Sequence, residues 1–84
     1  MSLFKISLNK MTLSELKIGE TAYIIGFDDK DLSLKLMEMG CLPGEKVELT
    51  EIAPLGDPIA FWVAGYKLSI RKSEARQVLI KKND

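Results

Sequence analysis

Between Leu36 and Gly44 the chain reads Leu-Met-Glu-Met-Gly-Cys-Leu-Pro-Gly, and no other stretch constrains the fold as tightly. An amphipathic run stops at Gly40. A glycine just past the last helical residue can take the left-handed backbone conformation that a Cβ resists, so the spacing predicts a helix ending here, with Cys41 folding back toward Leu36. Two residues on, Leu42-Pro43-Gly44-Glu45 places proline and glycine at the second and third positions of a four-residue turn, as a type II turn requires. The chain thus leaves a helix through one glycine, is reversed at once, and is sent into a strand. Gly40, Pro43 and Gly44 are read as structural turn residues, and Cys41 as packing material.

Length decides how much core there is to organise. A chain of 84 residues has room for one core, and at that size it buries only about 60 to 65% of the surface its unfolded form exposes. Twelve Lys and Arg balance twelve Asp and Glu. That balance argues against a nucleic-acid partner and against strong attraction to an acidic membrane surface. One cysteine excludes an intramolecular disulfide and a thiolate metal knuckle, and suits a reducing compartment, so a cytoplasmic location is expected. No apolar run approaches the roughly 18 to 20 residues of a membrane span, and direct membrane insertion is not expected. Residues 1–10 are too short and interrupted for a signal peptide. They alternate Phe4, Ile6 and Leu8 with polar residues and are read as an N-terminal arm, its first three residues compatible with a cloning remnant, ahead of a domain over 11–82.

Along that domain, Thr12 and Glu15 have capping-box spacing, which predicts a short helix ending near Lys17 to Gly19. Glu20 to Phe27 is β-rich, with Tyr23, Ile25 and Phe27 on one face and Ala22, Ile24 and Gly26 on the other; periodicity alone does not choose the buried side. Asp28, Asp29 and Asp31 supply a helix cap and an acidic first turn, and the helix is expected to run to Met39. Leu32, Leu36 and Met39 share one face, whereas Leu34 and Met37 form a second apolar strip. Glu45 to Ile52 follows as a strand with Val47 and Leu49 inward and a bulge or bend near Thr50 and Glu51. After the loop Ala53-Pro54-Leu55-Gly56-Asp57-Pro58, the strands Ile59–Val63 and Tyr66–Ile70 form a hairpin turned by Gly65. Ser73 is the expected cap of a last helical turn, and Val78 to Lys81 the closing strand. About five strands with short helical segments predict a mainly β fold, a small, partly open barrel of SH3-like type.

The chemistry is bounded by absences. Without histidine there is no imidazole base, no Ser-His or Cys-His nucleophile pair and no histidine metal ligand, so no enzyme is expected. Cys41 follows a helix C-terminus, the end of the dipole that disfavours a thiolate. The glycines stand singly, and no P-loop or dinucleotide fingerprint occurs. Met37, Met39 and Cys41 are soft donors at close spacing, but Met37 lies about 160° round the helix from Met39, which favours packing over metal ligation. Asp28, Asp29 and Asp31 lack the glycine and distal glutamate of a calcium loop. No cofactor is expected.

Three stretches, Leu36 to Gly44, Ala53 to Pro58, and Gly65 to Ala75 (Gly-Tyr-Lys-Leu-Ser-Ile-Arg-Lys-Ser-Glu-Ala), resemble the signature stretches of the ferrous iron transport protein A (FeoA) family. Leu13 to Gly19 is similar to its opening Leu-x-x-Leu-x-x-Gly. The resemblance spans Met11 to Ile80 in the family's order. It implies an SH3-like barrel acting in the cytoplasm as an accessory to FeoB, the membrane ferrous iron transporter whose cytoplasmic part includes a GTPase domain. It implies neither enzyme activity nor an agreed iron site. Lys35 stands where members often carry arginine, so the planar donor is lost here.

Two classes of function remain from the sequence, with a weaker third. A protein-interaction module would present Leu34, Met37 and Leu55 as apolar anchors to a FeoB-like transporter; packing of Leu34 and Met37 under the N-terminal arm is the alternative placement. A ferrous-ion sensor or carrier would use Met37, Cys41 and nearby carboxylates. An SH3-type peptide binder would line a groove with Tyr23, Phe27, Trp62 and Tyr66, although half-buried strand packing is favoured for Trp62. Self-association as a homo-oligomer is compatible with all three.

Overall fold

Alternation is strongest where two strands run either side of Gly65, and the structure, a computed structural model that describes residues 11–82, is built outward from that hairpin. Strand β4 (Ile59–Val63) turns into β5 (Tyr66–Ile70) through Ala64 and Gly65, both at positive φ (52° and 89°). Two successive residues of that kind match the right-handed twist of the flanking strands. Strand β3 (Lys46–Ile52) pairs with β4 and with β2 (Thr21–Phe27). Strand β6 (Val78–Lys82) pairs with β2 on one side and with a two-residue β1 (Met11–Thr12) on the other. The sheet order is β1-β6-β2-β3-β4-β5, antiparallel at every pairing. The expectation of about five strands gains this sixth, Met11–Thr12, too short for a periodicity to register.

Two bulges curve the sheet, and each answers a parity question. Between Ile24 and Gly26 the β2–β6 register shifts by one residue. Ala22 and Ile24 are buried before the bulge, Ile25 is left exposed, and Phe27 opposite Val78 packs against the core after it. Phe27 therefore does not share a face with Tyr23, because the inserted residue exchanges the two faces of the strand. The β3–β4 register shifts between Leu49 and Glu51, where a bulge is expected. The inner faces supply the core, in which Phe61, Leu49, Val47, Val63, Ile24 and Ile80 are all almost fully enclosed.

The helical pieces plug the ends. Leu13–Glu15 is a single 3-10 turn, with the Thr12 N–H donating to Glu15 Oε2 at 3.1 Å. It ends earlier than Lys17; Leu13 and Leu16 are buried and Ile18 is exposed. Helix α1 (Lys30–Glu38) is inserted between β2 and β3, which meet again beneath it where the Ile24 N–H donates to the Glu45 carbonyl (3.0 Å) and the Gly44 N–H to the Ile24 carbonyl (2.7 Å). Helix α2 (Lys72–Ala75) is one turn long and is capped by Arg71, not Ser73. The Arg71 N–H donates to Glu74 Oε1 at 2.9 Å, the reverse half of a capping box, which places Ser73 inside the turn. The expected N-terminal arm with Phe4, Ile6 and Leu8 lies outside the described residues.

Candidate functional site

At the start of α1 the Asp29 carboxylate accepts from the Leu32 N–H (3.0 Å), satisfying one of the free donors of the first turn. Nine residues later the helix ends at Glu38 with Met39 as its cap, one residue before the expected end. Gly40 has φ +97°; its N–H donates to the Met37 carbonyl (3.1 Å) and the Cys41 N–H to the Leu36 carbonyl (2.9 Å). That pair of bonds is the Schellman arrangement, and it brings Cys41 onto Leu36, both 1% exposed. The Glu45 N–H then closes on the Leu42 carbonyl (3.0 Å) around Gly44 at φ +96°. Leu36 is thereby driven inward, and the opposite side of α1 faces out: Leu34 is 60% exposed and Met37 half-buried.

Two polar contacts in series link this helix, through α2, to the 53–58 loop. Lys35 Nζ meets Glu74 Oε2 at 3.1 Å, joining α1 to α2. On the other side of α2, the Lys72 N–H donates to Asp57 Oδ1 at 2.9 Å and holds the 53–58 loop. The Gly56 N–H bonds the Ala53 carbonyl (2.7 Å) and the Ala53 N–H the Pro58 carbonyl (3.0 Å), so the loop is internally closed, and Leu55 at its tip is 97% exposed. Leu34 and Leu55 thus belong to two elements anchored on the same helical turn. Glu74 is the node. Its two oxygens take separate partners, and the Arg71 N–H, followed by the Lys35 ammonium, holds its carboxyl below the usual carboxylate value. Neither Glu74 nor Asp57 was singled out by sequence reasoning. The spacing Arg71-x-x-Glu74, with acid at the third helical position, was the available signal.

The other candidates are dispersed. Cys41 is enclosed by the core, and burial, with the Glu45 charge second, pushes its thiol up to about 11, so it is a protonated packing group at neutral pH. Met39 packs against the core and Met37 does not join it there. Among the described residues no three or more His, Cys, Asp or Glu side chains gather as a metal site. The aromatic set divides as well. Tyr23 and Trp62 face outward, Trp62 at 46% exposed between Glu48 and Lys67. Phe27 faces the core, and Tyr66 lies on the inner parity with Val63, its hydroxyl close over Gly40. These four do not line one groove. Two shallow clefts, of about 250 and 330 Å³, flank Trp62 and Ala60, and neither includes Leu34, Met37 or Leu55. No helix among the described residues is long and apolar enough to cross a membrane.

Known proteins share this fold. A solved FeoA-like protein from Clostridium acetobutylicum is 36% identical, covers 87% of this chain and 86% of its own length, and superposes with a TM-score of 0.81. Stenotrophomonas maltophilia FeoA, solved in complex with zinc and described as a prokaryotic SH3 domain protein, is 30% identical over 84% of this chain and 89% of its own, with a TM-score of 0.74. A fusion of Fe(2+) transport protein A with the Fe(2+) transporter FeoB from Porphyromonas gingivalis is 32% identical over 69 residues, 81% of this chain; the chain spans only 8% of that protein's length. The FeoA domain model matches residues 11–82. With its mainly β, SH3-like architecture and its helix-to-strand turn at Gly40, the chain belongs to the FeoA domain family of ferrous iron transport.

Proposed function

We propose that this chain, with residues 11–82 as its working unit, is a cytoplasmic accessory of ferrous iron uptake that binds a FeoB-type transporter and has no catalytic activity of its own. The observation that carries the reading is the Porphyromonas gingivalis fusion, in which a segment similar to this chain is covalently part of a FeoB transporter. Covalent linkage raises the effective concentration of two parts that act on one another, and separate chains with the same role need a surface to substitute for the link. The exposed Leu34 and Leu55, with Met37 beside the former on α1, are the apolar anchors we assign to that surface. Binding should bury Leu34 and Leu55 together, because both elements are tethered to α2.

The test is co-isolation of the transporter from a membrane extract, with and without guanine nucleotide, using the native chain and a Leu34→Asp, Met37→Asp double variant. Loss of the transporter with a native NMR spectrum supports the placement. Undiminished capture by the folded double variant rejects it. A second reading, metal binding, draws on the zinc complex of the Stenotrophomonas maltophilia relative. Anaerobic ferrous titration separates the two: stoichiometric binding abolished by Cys41→Ser would favour the metal reading, against the enclosure of that thiol.

A further inference from the structure

Among the described residues, strand β5 stands at one end of the sheet with β4 as its one neighbour. Because a two-residue turn closes the hairpin, Val63 and Tyr66 form a hydrogen-bonded pair. Antiparallel pairs alternate, so Lys67 opposite Trp62 and Ser69 opposite Ala60 are non-bonded pairs. The backbone N–H and C=O groups of Lys67 and Ser69 therefore point away from β4, along the open edge. Among the described residues, side-chain cover thins at the same place. On the inner face of β4, Phe61 and Val63 are each 1% exposed, whereas on β5 Leu68 is half-buried and Tyr66 is 42% exposed. An edge short of both backbone partners and apolar cover is a site for an added strand.

Charge selects the occupant. Lys67 lies on the outer face of this edge with Ser69, and Arg71, the extended cap residue of α2 just past the strand, continues the same alternation. Pairing two copies of β5 antiparallel about Ser69 would set Lys67 directly against an arginine. Centring the pair on Leu68 would set Lys67 diagonal to both a lysine and an arginine, and like charges at such cross-strand positions are unfavourable. The same cations attract carboxylates, Arg71 already acting on Glu74. Among the described residues Lys67 is held by a loose, exposed contact with Glu51 at 3.7 Å, which lets its donors turn toward an incoming acid.

We propose that the β5 edge binds an extended acidic segment of a partner protein as an added strand, with Asp or Glu beside Lys67 and Arg71 and aliphatic residues at alternate positions over Tyr66 and Leu68. This surface is separate from the Leu34 and Leu55 anchors and does not depend on the transporter reading. The test uses the full chain, ¹⁵N-labelled, titrated with a synthetic peptide alternating valine and glutamate, and with its valine–lysine counterpart as control. Amide exchange at Lys67 and Ser69 should slow with the glutamate peptide and not with the lysine peptide, and the effect should weaken in high salt. Ser69→Pro removes an N–H that β4 does not use, a substitution edge strands tolerate, and should weaken binding by about tenfold through lost backbone hydrogen bonds. If Ser69→Pro fails to fold, Lys67→Glu supplies the same test by shifting preference toward the lysine peptide. Equal binding of both peptides, protection mapping to another surface, or indifference to the folded variants would overturn the proposal. So would protection at Lys67 and Ser69 that rises with protein concentration alone, which would give the edge to a second copy.

Discussion

A methyl group on Gly40 would sit 2.8 Å from the Tyr66 hydroxyl, at a backbone position turned to φ +97°. The two penalties differ in kind. The left-handed conformation costs a residue with a Cβ about 1 to 2 kcal/mol and cannot be relieved without unmaking the helix cap. The tyrosine, by contrast, can swing. Gly40→Ala should lower the urea-unfolding free energy by that amount or somewhat more, and by less in a Tyr66→Phe background, so a double-mutant cycle reads the hydroxyl contact directly. Additive costs would show that the ring does not rest on the glycine. Next to it, Cys41 makes a prediction at alkaline pH. Its folded-state value is raised from 9.0 to about 11, so the thiol supports folding below 9 and that support drains away as pH climbs toward 11. Cys41→Ala should lose stability at neutral pH through the cavity it leaves, yet show a flatter decline between pH 9 and 11 in denaturation midpoints.

Among the elements, α2 is short but holds α1 and the 53–58 loop through Glu74 and through the Lys72 N–H. The Glu74 value is depressed, so its contribution is present above about 4.5 and fades as pH falls through the lower folded-state value. Glu74→Gln should therefore make the acid limb of a stability–pH curve shallower; Glu20, depressed first by its bond to Lys82, keeps part of it. An unaltered acid limb would show that Glu74 has the same protonation in both states. Elements of this kind were hard to read from sequence. The hairpin and the Gly40 cap were legible, because period-two alternation and a lone glycine after an amphipathic run are local signals. The face of β2 was not, because one bulge at Ile25 reverses parity and is set by pairing with β6, far along the chain. Met11–Thr12 pairs only through Ile80 and Leu79 and leaves no mark in its own composition. The candidate surface was half legible. Leu34 follows from helical periodicity, whereas the tie that brings Leu55 into the same structural unit runs through side chains of three separate segments.

Taken whole, the molecule depends on a strand that comes late. β6 lies between β1 and β2 and contributes Val78 and Ile80 to the core, so the pairing that closes one side of the barrel joins residues near 11 to residues near 80. A chain ended at Gln77 should lack a dispersed ¹H–¹⁵N spectrum and cooperative unfolding; a native-like spectrum would show that β2 to β5 stand alone. The position of β6 also sets the order of events during synthesis. At about 5 to 20 residues per second, β2, α1 and the β3–β5 hairpins leave the ribosome with the slot beside β2 still empty, and they must wait for the strand that fills it. Where such a domain is translated as part of a longer polypeptide, its maturation is timed by the release of Val78 to Lys82 from the exit tunnel. Until then the flank of β2 that β6 will cover keeps its backbone groups unpaired by that strand.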